Sequence, residues 1–324
     1  MQSLTRTEHW DAVHALEGAE VAGPREAVTR HGPRRALKRL LGRRLVEYMS
    51  SYDEHQIWNV LCPRHMPLPG ASVVEIGSAP GEHLAKLSET FRLVPYGIEY
   101  SASGAEVNRA VFTARGLDPG NVIQMDFFSD ECLLRYRERF DVVMSRGFIE
   151  HFEDPSRVVD RHLELLKPGG LLIVTIPNLR GINHALTRLF HRELIPMHNL
   201  EIMSRVRFLQ LFDAAKVRLL TCAYIGTFSF YLFGVKAGSR LAPLLRACMK
   251  VQAVLNLLFR LCLGDRGAEN RFTSPQLVFI GSKGVLRRTP LEPRSSPGGS
   301  GAGTVVAASV SPSPHGPGTV AGGR

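Results

Sequence analysis

The sequence predicts an open, doubly wound α/β fold whose seven-stranded sheet is mostly parallel. Between residues 71 and 282, short runs rich in β-branched residues alternate with longer stretches of helical pattern. Apolar strands that alternate with helices imply crossover connections and parallel strands. Turn residues punctuate the pattern, since Pro155 is placed to open one helix and Gly169 and Gly170 to close it. Sheets of this kind bind their ligands at the carboxyl ends of the strands.

The alternation defines seven strands and five helices in the central part of the chain. The strands are predicted at 72–76, 94–99, 122–126, 141–145, 171–176, 218–224 and 276–282. The helices are predicted at 81–90, 103–115, 130–139, 156–166 and 202–214. A further amphipathic helix is predicted at 240–263, because apolar residues recur there at helical spacing opposite a basic polar face that includes Arg246, Lys250 and Asn256.

Three regions follow from changes in composition along the chain. Residues 1–70 are predicted to form a helical N-terminal cap, and 71–284 to form the α/β domain with a helical insertion at 226–274. The last segment, 285–324, contains 8 Gly, 6 Pro and 6 Ser, which make up half of it. Such a composition buries too little surface to offset the entropy of ordering, so this segment is predicted to be a disordered tail.

The formal net charge of +10 is unevenly distributed. Residues 71–203 contain 18 acidic and 14 basic side chains, so the positive excess belongs to the flanks. The segment 214–264 has seven basic residues and no acidic one, and 25–44 has eight basic residues against Glu26. Basic flanks favour contact with an anionic membrane, a phosphorylated substrate or nucleic acid, and a solvated basic face is the alternative.

Cysteine usage and the N-terminal residues bear on the compartment. Five cysteines occur without a Cys-x-x-Cys pair, which is typical of free thiols in a reducing environment. Residues 1–14 are polar and predict no signal peptide, and no uninterrupted apolar run of about 18 residues predicts a transmembrane helix. We therefore expect a cytoplasmic protein that is at most peripheral to a membrane. The hydrophobic content of 44% excludes a fully disordered or fibrous chain.

The clearest chemical motif follows the first predicted strand, where the segment from Glu75 to Gly81 reads EIGSAPG. Small residues at such a turn let a ligand approach the backbone closely, at the point where the next helix begins. The spacing of Gly77, Ala79 and Gly81 differs from the G-x-G-x-x-G pattern of nicotinamide-dinucleotide sites. A phosphate-binding G-K-[ST] loop is also missing from the sequence, which disfavours a dehydrogenase and a P-loop enzyme.

Two further acids lie at the ends of the next two predicted strands. Glu99 ends the second strand, where a carboxylate can accept hydrogen bonds from both hydroxyls of a ribose. Asp126 ends the third strand, where it could accept from an adenine amino group, and Phe127 could pack on the ring. Together these residues predict a ligand that contains a nucleoside.

With these residues in view, the chain resembles the class I S-adenosylmethionine-dependent methyltransferases. The first motif of that family is an acid-x-G-x-(G/A)-x-G turn, which Glu75, Gly77, Ala79 and Gly81 match. Ala79 stands where glycine is usual, and it is still small. The resemblance implies a Rossmann-like fold and S-adenosylmethionine as the cofactor.

Two longer phrases narrow the resemblance to one branch of the family. They are IEHF at 149–152 and LKPGGLLIVTIPN at 166–178. Both resemble the branch that contains ubiquinone-biosynthesis O-methyltransferases and many glycan and small-molecule methyltransferases. The positions matched to cofactor-binding residues are Glu75, Gly77, Ala79, Gly81, Glu99, Asp126, Phe127, Arg146 and Gly147. Methyl transfer is an in-line displacement, so holding the two reactants in line supplies much of the acceleration.

A hydroxyl acceptor benefits from a base, and the sequence offers two histidines near the predicted site. His198 lies in the segment after the fifth strand, where related enzymes often place residues that face the substrate. His151 follows the fourth strand beside Glu150, and the pair either removes the proton or anchors the loop by hydrogen bonds. The sequence shows no compact Asp/Glu/His cluster, so no metal is predicted.

The accessory segment 227–264 bears on the acceptor. Its apolar face and basic polar face suit a helix that lies on anionic lipid, which would make the protein peripheral to a membrane. A lid over the active site or a dimer contact is the alternative, and it explains the same apolar face. All of these interpretations favour a bulky, partly apolar acceptor, such as a lipid-linked, saccharide or small-molecule hydroxyl compound.

Two rival functions are weighed against this interpretation. The basic flanks would permit methylation of RNA or another nucleic acid, but the fourth strand ends in Ser145, Arg146 and Gly147 and not in the D/N-P-P-Y/F of base-amine methyltransferases. A methyltransferase-fold scaffold without turnover would be expected to lose cofactor contacts, yet Glu75, Glu99 and the other matched residues are all present.

Overall fold

The computed structural model describes residues 2–5, 49–235 and 238–284 of the chain. Its centre is a sheet of seven strands. In chain order they are β1 (Ser72–Ile76), β2 (Val94–Glu99), β3 (Val122–Gln124), β4 (Phe140–Arg146), β5 (Leu166–Pro177), β6 (Val217–Ile225) and β7 (Gln276–Lys283). The seven strands predicted from the alternation of apolar runs are therefore all present.

Helices connect and flank these strands. The α-helices within the described ranges are α1 (Tyr52–His55), α2 (Glu82–Phe91), α3 (Ala102–Ala114), α4 (Asp130–Tyr136), α5 (Pro155–Leu165), α6 (Ile182–His191), α7 (Arg205–Gln210) and α8 (Ala242–Leu263). Short polar side chains start several of them. Ser101 accepts from the Gly104 amide at α3 and Ser129 accepts from the Cys132 amide at α4. Pro155 occupies the first turn of α5, as the sequence predicts.

The strand order in the sheet is β3-β2-β1-β4-β5-β7-β6, and β7 alone runs antiparallel to its neighbours. The chain moves outward from β1 to β3 on one side and then returns to start β4 on the other side of β1. The carboxyl ends of β1 and β4 therefore border a topological switch point, where open α/β sheets bind their ligands. The predicted doubly wound, mostly parallel fold is confirmed.

Both faces of the sheet are buried, which explains the nearly continuous apolar strands. Successive residues of a strand point to opposite faces, and Val73 and Val74 enter separate clusters of the core accordingly. On one face Val74 packs with Val143, and on the other Val73 packs with Val142. Helices cover both faces, as parallel sheets require.

Three predicted elements need correction. The strand predicted at 122–126 ends at Gln124, so Asp126 lies two residues beyond it in a turn. The turn expected at 167–170 is included in β5, because Leu166 pairs with Phe140 before the register shifts to Leu171 opposite Val142.

The helix predicted at 202–214 is also wrong. It is split into a 3-10 turn at Leu200–Ile202 and the short helix α7, because Ser204 starts a new helix by accepting from the Arg207 amide. Helix α6 was not predicted, since no proline or acidic cap marks its start and Gly181 precedes it with a positive φ of 63°.

The domain boundaries inferred from composition remain predictions. Most of the N-terminal cap, residues 6–48, and the whole tail at 285–324 lie outside the described residues. The described part of the insertion 226–274 contains a 3-10 turn at Phe230–Phe233 and helix α8.

The polar and apolar faces of helix α8 differ from the predicted ones. Asn256, assigned to the basic polar face, is buried together with Gln252, and the Asn256 amide donates to the carbonyl oxygen of Met49. Among the described residues, α8 is also the one helix whose length and composition would allow it to cross a membrane. Core helices of soluble proteins can have the same length and composition.

Candidate active site

The turn after β1 is shaped by two glycines in the left-handed region. Gly77 has a φ of 69° and Gly81 a φ of 89°, which residues with a Cβ rarely adopt. A Cβ on Gly77 would lie 2.9 Å from Cδ2 of Phe148, and one on Gly81 would collide with the Asn108 side chain. Gly81 is also the residue before α2, so the turn leads directly into a helix N-terminus. These glycines let the turn pack closely against Phe148 and Asn108 while it lines a cavity.

Two cavities adjoin this turn. The Glu99 cavity has a volume of about 350 Å³ and lies over the ends of β1, β2 and β4. The Glu150 cavity has a volume of about 530 Å³ and lies between β1, β4 and the segments after β5. Residues shared by both walls are Gly77, Ala79, Arg146, Gly147 and His151. A ligand in one cavity can therefore touch a ligand in the other across the switch point.

Glu99 is fixed at the end of β2 by two backbone amides. Its Oε2 accepts from the Ala79 amide at 3.2 Å, and its Oε1 accepts from the Ser101 amide at 2.9 Å. The side chain is buried and lines the Glu99 cavity. Because an ionised carboxylate has about four lone-pair positions, two remain for ligand hydroxyls.

Asp126 and Phe127 line the same cavity from the far side. The Asp126 carboxylate accepts from the Phe128 amide at 2.8 Å, which shapes the turn beyond β3. Phe127 is 4% exposed, and its ring meets the rings of Phe148 and His162 edge-on. It is thus a core residue whose surface also forms part of the cavity wall.

Arg146, at the end of β4, is held by a residue that the sequence analysis did not single out. Its Nη2 donates to Oε1 of Glu54 at 2.6 Å, and its guanidinium lies 5.7 Å from the Trp58 ring centre. Glu54 Oε2 also accepts from Trp58 Nε1 at 2.8 Å and lies 3.2 Å from His83 Nδ1. Burial favours a higher pKa for Glu54, but Arg146 and the bonds from His83 and Trp58 outweigh it and lower the pKa to about 2.

Glu75 lies at the bottom of the Glu150 cavity with little exposed surface. Burial raises the pKa of this carboxyl to about 7, although the positive charge of Arg146 opposes the shift. The negative charges of Glu54 and Glu99 act in the same direction as burial. Glu75 is therefore poised to change its charge near neutral pH.

Glu150, His151 and His198 form a compact cluster in the wall of the Glu150 cavity. One ligand atom from each lies within 4.8 Å of the others, and the two imidazole rings are 4.5 Å apart between centres. The Glu150 side chain is fully buried, and neither carboxylate oxygen has a hydrogen-bond partner in the described part of the chain. Burial raises its pKa to about 8.

Backbone carbonyls orient both imidazoles. His151 Nδ1 donates to the Met197 oxygen at 2.9 Å and also lies 2.9 Å from the Thr5 hydroxyl. His198 Nδ1 donates to the Leu194 oxygen at 2.6 Å. Since a carbonyl only accepts, Nδ1 is the donor nitrogen of each ring in these two contacts.

A backbone contact explains why residues so far apart in the chain meet here. Glu150 and His151 sit in a 3-10 turn after β4, and His198 follows a 3-10 turn at Arg192–Met197. The Asn199 amide donates to the Glu150 carbonyl at 2.7 Å and joins the two segments. The sequence alone gives no compact ligand spacing for this cluster, because its members come from two separate loops.

All of the residues predicted from the sequence to bind the cofactor or to act in catalysis line one or both cavities. The structure thus places the predicted cofactor-binding residues beside the predicted catalytic residues, and the roles of both sets remain proposals. Glu54 was missed because it lies in the segment 1–70, before the motifs on which the sequence resemblance rests. An isolated acid before β1 carries no spacing that links it to Arg146.

Comparison with known proteins identifies the family to which the chain belongs. A family model described as a methyltransferase domain matches residues 29–220, which is more than half of the chain. The chain belongs to this methyltransferase-domain family. The expected resemblance is therefore confirmed, and S-adenosylmethionine is the cofactor of the methyltransferase domain.

Individual relatives of the methyltransferase domain differ in what they modify. A ubiquinone biosynthesis O-methyltransferase of Xylella fastidiosa (strain 9a5c) is 32% identical over 152 residues, covering 46% of this chain and 53% of the relative. A tRNA U34 carboxymethyltransferase of Desulfotalea psychrophila is 28% identical over 137 residues, covering 42% of each chain. The chain thus spans about half or less of the length of these curated relatives.

Among solved structures, the methyltransferase domain is similar to geranyl diphosphate C-methyltransferase from Streptomyces coelicolor A3(2). The two share 14% identity with a TM-score of 0.46, and the match covers 71% of this chain and 79% of the other.

Proposed function

We propose that the protein is an S-adenosylmethionine-dependent methyltransferase that modifies a hydroxyl oxygen of a small-molecule, lipid-linked or saccharide acceptor. The observation that carries this proposal is the pair of adjoining cavities that share Gly77, Ala79, Arg146 and Gly147. One cavity presents residues suited to a nucleoside, and the other presents a buried acid and two histidines. A cofactor and an acceptor can therefore meet at the shared wall.

The residues of the Glu99 cavity fit an adenosyl cofactor. Glu99 would accept from the ribose hydroxyls, Asp126 from the adenine amino group, and Phe127 would pack on the base. The methionyl part would lie along the turn that contains Gly77, Ala79 and Gly81, all of which line the adjoining Glu150 cavity. When bound, S-adenosylmethionine supplies an electrophilic methyl group.

Charged groups at the shared wall suit the amino-acid end of the cofactor. Glu75 would attract its ammonium group, and Arg146 would attract its carboxylate. Glu54 holds Arg146 in place through the 2.6 Å hydrogen bond. Charge-assisted hydrogen bonds of this kind are about twice as strong as neutral ones, so they fix the direction in which the cofactor enters.

The cluster in the Glu150 cavity is placed to handle the proton of a hydroxyl acceptor. His198 is the first choice as the base and His151 the second, because Nε2 of each neutral ring carries a lone pair. Glu150 lies 3.9 Å from His151 Nε2, and only its ionised form would favour an imidazolium there. The carbonyls of Leu194 and Met197 hold both rings in this tautomer.

The acceptor class is inferred from the walls of the Glu150 cavity. The leucines Leu179, Leu194 and Leu232 line this cavity together with the polar cluster, and Tyr231 lines the same space. A partly apolar acceptor with one reactive hydroxyl matches these walls. The ubiquinone-biosynthesis relatives support an oxygen acceptor, whereas the tRNA relative and the basic flanks support the nucleic-acid alternative.

Labelled S-adenosylmethionine provides the test. Full-length protein is incubated with the labelled cofactor and with lipid, small-molecule and RNA fractions of a lysate, and the labelled product is identified. We expect label in an alkali-stable ether in the lipid or small-molecule fraction. Label confined to RNA would replace the proposed acceptor, and calorimetry that detects no cofactor binding would favour a scaffold without turnover.

Variants of two acids complete the test. Glu99→Gln should weaken cofactor binding at least about tenfold, because it alters a buried acceptor of ribose and backbone hydrogen bonds. Glu106→Gln, an exposed acid on α3, is the matched control and should bind as the wild type does. Equal affinities of the two variants would contradict the assignment of Glu99.

Helix α8 supports the proposal of peripheral membrane contact through 227–264. Its exposed apolar stripe consists of Leu244, Val251, Val254, Leu258 and Leu261, each at least 46% exposed. Arg246 and Lys250 are exposed on the same helix. The opposite side holds Gln252, which bonds the Phe228 carbonyl and the Phe230 amide. The buried side of α8 packs on the protein, so its exposed apolar stripe is the side that would lie on anionic lipid.

Vesicle flotation tests this contact. The full-length protein should float with vesicles that contain anionic lipid, and a Val251→Glu, Leu258→Glu variant should not. A wild-type protein that remains at the bottom of the gradient with every vesicle would contradict membrane contact. A change of sedimentation coefficient in the double variant would instead identify the stripe as a dimer contact.

A further inference from the structure

We infer that Glu150, His151 and His198 bind a divalent metal ion in the acceptor cavity, and that zinc is the ion their donor atoms favour. The three ligand atoms lie within 4.8 Å of one another and line the Glu150 cavity. This inference rests on the proposed function of that cavity and deepens it. It concerns what the cluster holds, whereas the cofactor assignment depends on other residues.

The first argument is the state of Glu150. Its side chain is 1% exposed, and both oxygens lack a hydrogen-bond partner within 2–5, 49–235 and 238–284. A buried carboxyl group without hydrogen-bond partners is costly in either protonation state, and the great majority of buried polar atoms have at least one partner. Gly147, which has a φ of 58°, brings the backbone close enough that a Cβ there would lie 3.4 Å from Glu150 Oε1. A cation would satisfy the carboxylate that the fold leaves without a donor.

The second argument is the orientation of the histidines. Metal-binding imidazoles almost always donate their second ring N–H to a backbone carbonyl, carboxylate or water. His151 donates from Nδ1 to Met197, and His198 donates from Nδ1 to Leu194. Thr5 adds a third contact at His151 Nδ1, 2.9 Å away. In each ring Nδ1 makes this backbone contact, so a metal would be bound through Nε2.

The donor set selects the kind of ion. Imidazole nitrogen suits zinc and its transition-metal neighbours, while magnesium and calcium prefer oxygen ligands. Two histidines and one glutamate are a ligand set of catalytic zinc sites, which keep a fourth position open. The three residues line a cavity of about 530 Å³ that shares part of its wall with the Glu99 cavity. An oxygen of the acceptor would complete the coordination.

A metal at this position changes one part of the proposed mechanism. A bound divalent ion lowers the pKa of an oxygen ligand, so an acceptor hydroxyl would lose its proton to solvent more readily. The nitrogens of His151 and His198 would then serve as ligands, and His198 would no longer act as the base. Acceptors with a second oxygen beside the reactive hydroxyl would bind better, since both could reach the ion.

Zinc binding is measured on the full-length protein after removal of metals with a chelator. Calorimetry with zinc chloride should show one tight site per chain in the wild type. Glu150→Gln, which preserves the size of the side chain, should weaken zinc binding by more than the roughly 100-fold that loss of an outer contact can cost. Thr5→Val should weaken it by about tenfold, because it removes only the support behind His151.

His65→Ala is the control for adventitious binding, since His65 lies outside both cavities and should leave zinc affinity unchanged. Cobalt provides a second readout, because its visible spectrum reports coordination by nitrogen without any turnover. Circular dichroism and thermal unfolding establish that each variant is folded. A cobalt spectrum that Glu150→Gln or His198→Gln leaves unaltered would overturn the inference.

The remaining outcomes separate the metal from the cofactor. Wild-type protein that binds S-adenosylmethionine but no zinc overturns the metal site and leaves the methyltransferase proposal standing. Zinc bound with equal affinity by wild type and Glu150→Gln overturns the site as well. Failure to bind either ligand contradicts both proposals together.

Discussion

Arg146 donates a 2.6 Å hydrogen bond to Glu54, which joins the carboxyl end of β4 to the segment that precedes β1. Each side chain is 18% exposed, so the ion pair is largely removed from water. Trp58 supports it from one side and donates to the same carboxylate. The pair lies directly beneath both cavities, since Arg146 lines each of them.

Glu54→Gln should destabilise the protein, because it leaves the Arg146 charge without its anionic partner in a buried place. Breaking such a pair costs about 3 kcal/mol. Urea unfolding measures the change in the free energy of unfolding. Glu82→Gln is the control, because its ion pair with Arg115 is exposed and should contribute no more than about 1 kcal/mol. Similar losses in the two variants would show that the Glu54 pair behaves as a surface contact.

The ion pair between Glu54 and Arg146 should also make the free energy of unfolding depend on pH in the acidic range. The pKa of Glu54 is about 2 in the folded protein against an ordinary value of 4.5. A lowered pKa contributes stability that is present above about pH 4.5 and is lost as the pH falls toward 2. Urea unfolding at several pH values should therefore show a steeper decline in the wild type than in Glu54→Gln. Parallel curves would contradict the lowered pKa.

Cofactor affinity should rise with pH near neutrality. The pKa of Glu75 is raised to about 7 by burial, so its carboxylate forms mainly above that pH and can then attract the ammonium group of S-adenosylmethionine. Calorimetry between pH 6 and 8 should show tighter binding at the alkaline end. Glu75→Gln should remove this dependence, and a dependence that persists in the variant would assign it to another group.

Gly77→Ala should damage the site more than left-handed strain alone explains. The positive φ costs a residue with a Cβ about 1–2 kcal/mol, and the added atom would also press on Phe148. Gly116→Ala measures the strain by itself, because Gly116 has a φ of 71° with open space around it. We expect Gly77→Ala to lose at least about tenfold in cofactor affinity as well. Equal cofactor affinity in both variants would show that the close approach of Gly77 to Phe148 is not needed for cofactor binding.

His198→Ala should reduce turnover strongly and leave cofactor affinity near that of the wild type. Loss of a general base costs about 10²–10⁴-fold in rate, and His198 lies in the Glu150 cavity away from the Glu99 cavity. Single-turnover rates and calorimetry measure the two quantities separately. His184→Ala, on α6 outside both cavities, serves as the control. Unchanged turnover in His198→Ala would remove this residue from the mechanism.

The meeting of the residues around the Glu99 cavity was predictable because each of them lies at or near a strand end. Glu99 follows an apolar run, and its position after β2 fixes its place at the edge of a parallel sheet. Gly77 and Gly81 reveal a turn by their residue type alone, since few other residues accept a positive φ. Alternating apolar runs likewise reveal the seven strands.

The acceptor side was predictable only as a set of separate candidates. Sequence reasoning names Glu150, His151 and His198, but their contact depends on the Asn199 amide meeting the Glu150 carbonyl. No local pattern records a hydrogen bond between two loops. The link from Glu54 to Arg146 spans the boundary between two predicted regions, and the burial of Asn256 depends on Met49 in the same way.

The two cavities are formed largely by different parts of the chain, and this difference has an evolutionary consequence. The turn and strand ends around Glu99 are constrained by sheet geometry, whereas much of the Glu150 cavity is built from the segments around Leu194 and Tyr231 that follow β5 and β6. Under the proposed function, substitutions in those segments would change the acceptor and leave the residues around Glu99 as they are. Substrate preference in such a domain can diversify faster than its chemistry.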